Sequence, residues 1–278
     1  MLSYPNCKIN LGLNITAKRN DGYHDIETIF LPIGIKEAIE IVQTDPSDEP
    51  LQYSSSGITI NADPSQNLCI KAYHLLKTHF PGLPGIKMHL HKTIPVGAGL
   101  GGGSADGAFT LKLLNKKFNV GLSTELLLGY ALQLGSDSPF FIINRPCFAT
   151  GRGEKLEPID INLSAYKLLL VNPGIHISTS QAFSQITPAN PLLSVKEAIK
   201  NPVQSWKELI KNDFERPVFK NFPEIKKIKD ELYQSGAVYA SMSGSGSTLY
   251  GIFEKDNKID HPFPQHYFVK ETNLLTAV

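Results

Sequence analysis

The alternation of apolar and polar residues predicts strands at the start of the chain. Residues 8–16 and 26–33 are apolar and β-prone, and the polar turn between them contains Asp21-Gly22, a hairpin-type signal. A third, shorter strand is predicted over residues 38–42. Residues 44–56 are polar and contain proline, so we expect a loop or an irregular hairpin end there.

Helical periodicity follows, and the rest of the chain mixes it with short strands. In the first helix Leu68, Ala72 and Leu76 recur on one face. Helices are predicted over residues 68–80, 105–118, 123–134 and 223–236 and from Ser194, and strands over residues 86–91, 166–171, 248–253 and 266–270. Because hairpins and helix pairs are mixed without a regular strand–helix repeat, the pattern predicts an α+β fold.

Length, charge and cysteine spacing narrow the class of protein. The chain of 278 residues allows two modest domains, and a polar stretch predicts that they cover residues 1–158 and 159–278. Lys and Arg total 27 against 26 for Asp and Glu, which argues against nucleic-acid binding through bulk charge. No run of about 18 apolar residues occurs, so we expect no membrane partner. The three cysteines form no metal motif, which favours reduced thiols in a cytoplasmic protein.

The segment from Pro95 to Gly107 is the strongest candidate for chemistry. Six of its thirteen residues are glycine, and it lies between a predicted strand and a predicted helix. Backbone N–H groups at a helix start lack partners and the helix dipole favours an anion, so glycines there let phosphate oxygens approach. Ser104 adds a hydroxyl for a phosphate or a bound Mg²⁺. The alternative is a flexible surface loop.

Three common nucleotide loops do not fit this segment. A Walker A loop needs a Gly-Lys pair, which the chain lacks. Gly97, Gly99 and Gly102 satisfy GxGxxG, but the nearest acid at Rossmann spacing, Glu125, falls in a predicted helix. The strand lysine and catalytic loop of protein kinases are also absent from the sequence.

The segment instead resembles the second signature of the GHMP kinase superfamily, Pro-x-x-x-Gly-Leu-Gly-x-Gly/Ser-Ser-Ala, here running from Pro95 to Ala105. Lys8-Ile9-Asn10-Leu11 resembles the first motif of this family, and Ser241 to Ser247 resembles the third. Cys7 stands where the first motif usually has Ala. Three further segments resemble one branch of this family: Asp21-Gly22-Tyr23-His24, Gly135 to Pro139 and Asn172-Pro173-Gly174. Ser136 and Ser138 depart from the usual Ala and Val of that branch.

This resemblance implies a two-domain GHMP kinase fold. The N-terminal domain would resemble the second domain of ribosomal protein S5, the C-terminal domain would be ferredoxin-like, and the active site would lie in the cleft between them. The implied reaction is ATP-dependent phosphorylation of the 2-hydroxyl of 4-diphosphocytidyl-2-C-methyl-D-erythritol, on the non-mevalonate route to isoprenoid precursors. The implied ligands are ATP with Mg²⁺ and this cytidylyl-linked sugar alcohol, bound by a monomer or a weak homodimer.

The resemblance also assigns roles to residues. Asp137 would be the general base of a direct in-line transfer, with Lys8 beside it. Tyr23 and Phe183 would stack on the cytosine, His24 would hydrogen-bond its edge, and Ser104 would be the Mg²⁺ ligand. The other implied substrate contacts are Asn10, Asp137 and Thr179. The implied ATP contacts are Pro95, Gly97, Gly99, Leu100, Gly101, Gly102, Gly103, Ser104, Ala105, Ser243, Gly244 and Ser245. Asn61, Asn67 and Lys92 are further candidates at the edges of the clefts.

The residues alone leave simpler interpretations open. Asp137 has the type and position of an N-cap for the segment beginning at Pro139. Lys8 would also suit the solvated face of an edge strand, Phe183 would suit a helix core, and His24 would suit a turn.

Two rival functions also stay open. They are another GHMP kinase, of the homoserine or mevalonate type, and a non-catalytic nucleotide-binding module. The Asp-Gly-Tyr-His turn and Phe183 argue against the first rival. The presence of both Lys8 and Asp137 argues against the second.

Overall fold

The structure is a computed structural model that describes residues 1–45, 47, 49–60 and 63–275. Its strands are β1 (Leu2–Ser3), β2 (Asn6–Lys18), β3 (His24–Lys36), β4 (Ala38–Gln43), β5 (Leu51–Gly57), β6 (Ile86–Lys92), β7 (Cys147–Gly151), β8 (Lys155–Pro158), β9 (Tyr166–Asn172), β10 (Tyr239–Met242), β11 (Leu249–Glu254) and β12 (Phe268–Thr272). Its α-helices are α1 (Leu68–His79), α2 (Gly102–Lys117), α3 (Thr124–Leu134), α4 (Ser138–Ile143), α5 (Thr179–Ser184), α6 (Val195–Ala198), α7 (Trp206–Leu209), α8 (Glu215–Asn221) and α9 (Pro223–Gln234). Asn61 lies outside the described residues.

One compact unit combines Met1–Cys7, Ile35–Val96 and Gly101–Asn144. Its sheet has the strand order β1-β4-β6-β5, and α1 and α2 lie against each other beside it. Strand β6 alternates between buried and more exposed positions, as expected for a sheet with one face in the core. In α1 the predicted face is confirmed, since Ala72 and Leu76 are fully buried.

The expectation of a loop over residues 44–56 is wrong for residues 51–56. This segment belongs to β5, which pairs in parallel with β6 in the register Leu51↔Ile86 to Gly57↔Lys92. Because β5 is an edge strand whose Ser54–Ser56 stretch is exposed, it carries none of the apolar alternation that marks a half-buried strand.

The second compact unit combines Lys8–Gly34, Gly97–Leu100 and the chain from Arg145 onward. It holds two four-stranded sheets, with the orders β2-β3-β7-β8 and β10-β11-β9-β12. The second of these sheets is antiparallel throughout. Helix α9 contributes Ile225, Ile228 and Leu232 to a core that also contains Phe214 and Phe253.

Most predicted elements are confirmed, with local corrections. Ser123 caps α3 through a bond from the Leu126 N–H, and Gly135 ends that helix. Helix α2 begins at Gly102 and not at residue 105, because tertiary context overrides the low helix propensity of glycine. The elements that were not predicted are the strands β1, β7, β8 and β10 and the short helices α4, α5, α7 and α8. The two units interleave along the chain, so the boundary between residues 158 and 159 stays a prediction.

Among the residues with a described structure, no helix combines the length and the apolar character that crossing a membrane requires.

Candidate active site

A buried polar cluster occupies the start of strand β2. Lys8 and Asn10 are two positions apart, so their side chains share a face of the strand. The Lys8 ammonium donates to Asn10 Oδ1 at 2.5 Å, and Asn10 Nδ2 donates to Thr28 Oγ1 at 3.1 Å. All three side chains are at most 3% exposed, which rules out the solvated edge-strand alternative for Lys8. Lys8 Nζ also lies 4.6 Å from the centre of the Phe30 ring.

The first part of the glycine-rich segment is packed against the serine–glycine loop of residues 243–247. The Ser243 hydroxyl donates to Gly99 O at 2.8 Å and accepts from the Asn10 N–H at 3.1 Å. A Cβ on Gly99 would lie 2.0 Å from Ser243 O, and one on Gly246 would lie 2.4 Å from Gly99 N. The two backbones therefore approach so closely that only glycine fits at either position.

Two buried asparagines, Asn172 and Asn212, hold this serine–glycine loop. Asn212 Nδ2 donates to Met242 O at 3.0 Å and to Gly244 O at 2.9 Å. Asn172 Nδ2 donates to Thr248 Oγ1 at 2.9 Å, while its Oδ1 accepts from the Gly174 N–H at 2.8 Å. The Asn-Pro-Gly segment was a signal for Asn172, whereas Asn212 has no local signal.

The second part of the segment forms the start of helix α2. Its N-cap is Gly101, at φ +69°, with no side-chain capping bond. A Cβ on Gly103 would meet nothing within 4 Å, and Ser104 is half-buried in the first turn. The helix start therefore offers backbone N–H groups without a side-chain cap and with open space beside them, as an anion site requires.

The remaining predicted ATP contacts differ in exposure. Leu100 and Ala105 are buried, with 1% and 0% of their surfaces exposed. Pro95 is half-buried and Gly97 is exposed, at φ +71°. Their contacts with ATP stay predictions.

Beneath the start of α2 lies a buried group of three charges. Lys92 Nζ donates to Glu37 Oε2 at 2.7 Å and to Asp106 Oδ2 at 2.8 Å. Glu37 Oε1 also accepts from the N–H groups of Thr93 and Ile94. Lys92 thus acts as the centre of an ion cluster and is 3% exposed.

Burial and the neighbouring charges shift the pKa values of Asp106 and Lys92 in this cluster. It raises the pKa of Asp106 well above its usual range, because the charged form is poorly solvated and Glu37 lies nearby. Burial opposes the charge on Lys92, but attraction to Asp106 and Glu37 outweighs it and raises the pKa of Lys92. Asp106 Oδ1 has no hydrogen-bond partner among the described residues.

Asp137 belongs to the first unit and immediately precedes helix α4. It occupies the N-cap position, yet its carboxylate makes no capping hydrogen bond. Its side chain is half-buried. Asp137 therefore stands at the N-cap position, but its carboxylate does not act as a cap. The role of Asp137 as general base stays a prediction.

The predicted cytosine residues take part in two separate aromatic contacts in the second unit. The Arg152 guanidinium lies 4.8 Å from the centre of the Tyr23 ring. His24 stacks on Phe183 with ring centres 4.8 Å apart and planes at 17°, and Phe183 meets the edge of Phe214. One face of Phe183 is thus covered by the imidazole itself, a relation the sequence did not predict.

Two predicted residues from different motifs also meet in this unit. Thr179 Oγ1 lies 3.2 Å from Ser245 Oγ, within hydrogen-bond distance. This contact joins a predicted substrate residue to a predicted ATP residue. Gly244, next to Ser245, adopts φ +60° in the same loop.

The described residues contain no group of three or more His, Cys, Asp or Glu side chains arranged to hold a metal ion. Ser104 offers a hard oxygen donor at the start of α2, which suits Mg²⁺ in chemical type. A magnesium ion here would take its other ligands from phosphate oxygens and water.

Family comparisons agree with the fold and with the loops. The family model for the GHMP kinases N terminal domain matches residues 67–145, and that for the GHMP kinases C terminal matches residues 194–261. The chain belongs to the GHMP kinase family, and the predicted two-domain GHMP kinase fold is confirmed.

Comparisons with individual proteins give a more specific match than the family models do. A relative from Bacteroides fragilis named 4-diphosphocytidyl-2-C-methyl-D-erythritol kinase is 52% identical over 274 residues, which are 99% of this chain and 100% of the relative. A solved structure of 4-(cytidine 5'-diphospho)-2C-methyl-D-erythritol kinase has a TM-score of 0.78 at 29% identity, covering 91% of this chain and 90% of its own. The solved mevalonate kinase of Methanococcus jannaschii shares the fold, with a TM-score of 0.70 at 15% identity over 99% of this chain and 98% of its own.

Proposed function

We propose that this chain transfers the γ-phosphoryl group of ATP to the 2-hydroxyl of 4-diphosphocytidyl-2-C-methyl-D-erythritol. This reaction is a step of the non-mevalonate route to isoprenoid precursors. The observation that carries the proposal is the 52% identity, over 99% of the chain, to a relative named for this reaction. The use of ATP follows from membership of a kinase family.

In the proposed reaction the hydroxyl oxygen of the substrate attacks the γ-phosphorus while the bond to the bridging oxygen breaks and ADP leaves. Asp137 accepts the hydroxyl proton as general base. Lys8 supplies a positive charge that Asn10 holds in one place, at 2.5 Å. The uncapped start of α2 binds the phosphates of ATP, which supports Gly101 to Ser104 as the principal donors.

Mg²⁺ belongs to this proposal as the partner of ATP. When bound, it would supply positive charge that offsets the charge of the phosphates. Ser104 is the residue we propose as its protein ligand, since its hydroxyl lies in the first turn of α2. The phosphates of ATP would supply the other oxygen ligands.

Recognition of the cytosine is assigned to Tyr23, His24 and Phe183. The stack of His24 on Phe183 brings an aromatic surface and an imidazole hydrogen-bonding group together, as selection of a base requires. A base that stacks on the covered face of Phe183 must displace the His24 ring. The cytoplasmic location and the monomeric or weakly dimeric state stay predictions.

The test is a panel of acceptors with release of ADP as the readout. The purified chain receives Mg²⁺-ATP and either 4-diphosphocytidyl-2-C-methyl-D-erythritol, mevalonate or homoserine. We expect turnover with the cytidylyl substrate alone, and mass spectrometry should find one added phosphate on it. Phosphorylation of mevalonate or homoserine in its place would refute the proposed acceptor. ATP binding without turnover on any acceptor would indicate a non-catalytic nucleotide-binding module.

A further inference from the structure

We infer that Thr28 is a positioning residue for the phosphoryl transfer, acting through Asn10 to fix one acceptor of the Lys8 ammonium. Thr28 lies on strand β3 and is fully buried. It belongs to none of the motifs that mark the family in this sequence. The inference rests on the proposed function, because the role of Lys8 comes from that proposal.

The first step concerns the single proton of the Thr28 hydroxyl. Thr28 Oγ1 donates to Gly12 O at 2.5 Å, so its proton is already used. The hydroxyl can then only accept further bonds, through its two lone pairs. At 3.1 Å it faces the side-chain nitrogen of Asn10, which is a donor.

The second step concerns the Asn10 amide, whose two ends have nearly the same shape. If the amide were flipped, its oxygen would face the accepting lone pair of Thr28 and its NH₂ group would face the Lys8 ammonium, which only donates. Both contacts would then be repulsive. The donation from Thr28 to Gly12 O and the donor-only character of Lys8 therefore both favour the orientation in which Oδ1 of Asn10 points at Lys8 Nζ.

The third step is the consequence for the ammonium. Lys8 is 3% exposed, so a lost acceptor cannot be replaced freely by water. Its four-carbon side chain has many rotamers, and a bond at 2.5 Å to a fixed oxygen limits them. Removing the Thr28 hydroxyl should loosen the position of the charge without removing the charge.

The experiment compares Thr28→Val, Thr28→Ser and the matched control Tyr250→Phe. Valine keeps the branched shape of threonine but removes the hydroxyl, whereas serine keeps the hydroxyl. Tyr250 Oη donates to the main-chain oxygen of Asn10 at 2.9 Å. Tyr250→Phe therefore removes a buried hydrogen bond to Asn10 without changing a contact of the Asn10 side-chain amide.

We expect kcat to fall about tenfold in Thr28→Val, with the KM for ATP within about twofold of wild type. Thr28→Ser and Tyr250→Phe should keep kcat within about twofold of wild type. An unchanged kcat in Thr28→Val, or an equal loss in Tyr250→Phe, would overturn the inference. Should Thr28→Val not fold, Thr28→Cys has a weaker hydrogen-bonding group, and a wild-type kcat in that variant would also overturn the inference.

A readout without turnover separates this inference from the proposed function. The Lys8 ammonium protons can be followed by proton–nitrogen NMR, and we expect slow exchange with water in the wild type and Thr28→Ser and fast exchange in Thr28→Val. Equal exchange in all three proteins would contradict the positioning role. Failure of the wild type to phosphorylate the cytidylyl substrate would refute the acceptor, and the kcat comparison would then use whichever alcohol the wild type phosphorylates.

Discussion

Replacing Gly99 by alanine should destabilise the protein, because the contact between two loops leaves no room for a side chain. Gly99 adopts φ +80°, and its added Cβ would lie 2.0 Å from Ser243 O and 3.1 Å from Gly246 N. Real Cβ atoms essentially never approach another atom within 3.0 Å, so one loop must move by about 1 Å. The Ser243 hydroxyl, which donates to Gly99 O at 2.8 Å, would lose its geometry in that movement.

The magnitude follows from three effects. Left-handed backbone costs a residue with a Cβ about 1 kcal/mol or slightly more. Overpacking of a tight contact costs about 1–3 kcal/mol, and a disrupted buried hydrogen bond adds about 1 kcal/mol. The sum is about 3–5 kcal/mol, and even its lower end corresponds to a fall in thermal midpoint of roughly 6–12 °C for a domain of this size.

Gly103→Ala is the matched control in the same segment. Gly103 has no positive φ, and a Cβ there would meet nothing within 4 Å. Alanine is favoured over glycine in a helix by up to about 1 kcal/mol, so the thermal midpoint should stay or rise slightly. The added methyl group would stand in the open space where we place a phosphate, so the KM for ATP should rise.

The assay is a thermal melt of both variants with and without Mg²⁺-ATP, followed by steady-state kinetics. A midpoint for Gly99→Ala within about 2 °C of wild type would refute the packing argument. An unchanged KM for ATP in Gly103→Ala would refute the anion site at the start of α2. The two results are independent, because one variant tests packing and the other tests binding.

Three further predictions concern single side chains. Asp137→Ala should abolish turnover yet leave the Kd for ATP within about threefold of wild type in a calorimetric titration, and retained turnover would remove Asp137 from the role of base. Phe183→Ala should raise the KM for the cytidylyl substrate about tenfold more than the KM for ATP, and the reverse pattern would show that the pocket is wrongly assigned. Burial raises the pKa of Asp106 in the folded protein, so as pH rises the unfolded chain releases this proton before the folded chain does. The free energy of unfolding should therefore fall above about pH 4 by up to about 1.4 kcal/mol per pH unit, until the pH passes the pKa of Asp106 in the folded protein. Asp106→Asn should remove this slope from urea unfolding measured at several pH values, and an unchanged slope would contradict the shift.

Local patterns predicted the parts of the site that depend on short stretches of chain. The period of two along β2 placed Lys8 and Asn10 on one face, and the hydrogen bond between them confirms it. The glycine density predicted an element between a strand and a helix, and α2 does begin within it, at Gly102. Where propensity misled, as at the start of α2, tertiary contacts had overridden it.

The supporting residues could not be predicted, because their partners are distant along the chain. Asn212 holds the carbonyl oxygens of Met242 and Gly244, and no pattern around Asn212 indicates a contact 30 residues or more away. Glu37 likewise accepts from Lys92, 55 residues further on. Such bonds follow from the register of strands and the packing of loops, which one sequence does not encode locally.

The buried charges beneath α2 affect how strongly the start of this helix can attract an anion. Asp106 lies in the second turn, where an ionised carboxylate would itself interact with the positive end of the helix dipole and oppose a phosphate. Burial raises the pKa of Asp106, which favours its neutral form, and Lys92 lies 2.8 Å from it. A neutral Asp106 would leave the charge of Lys92 balanced by that of Glu37. The cluster would then add no net negative charge beside the N–H groups of Gly101 to Ser104, where we propose that a phosphate of ATP binds.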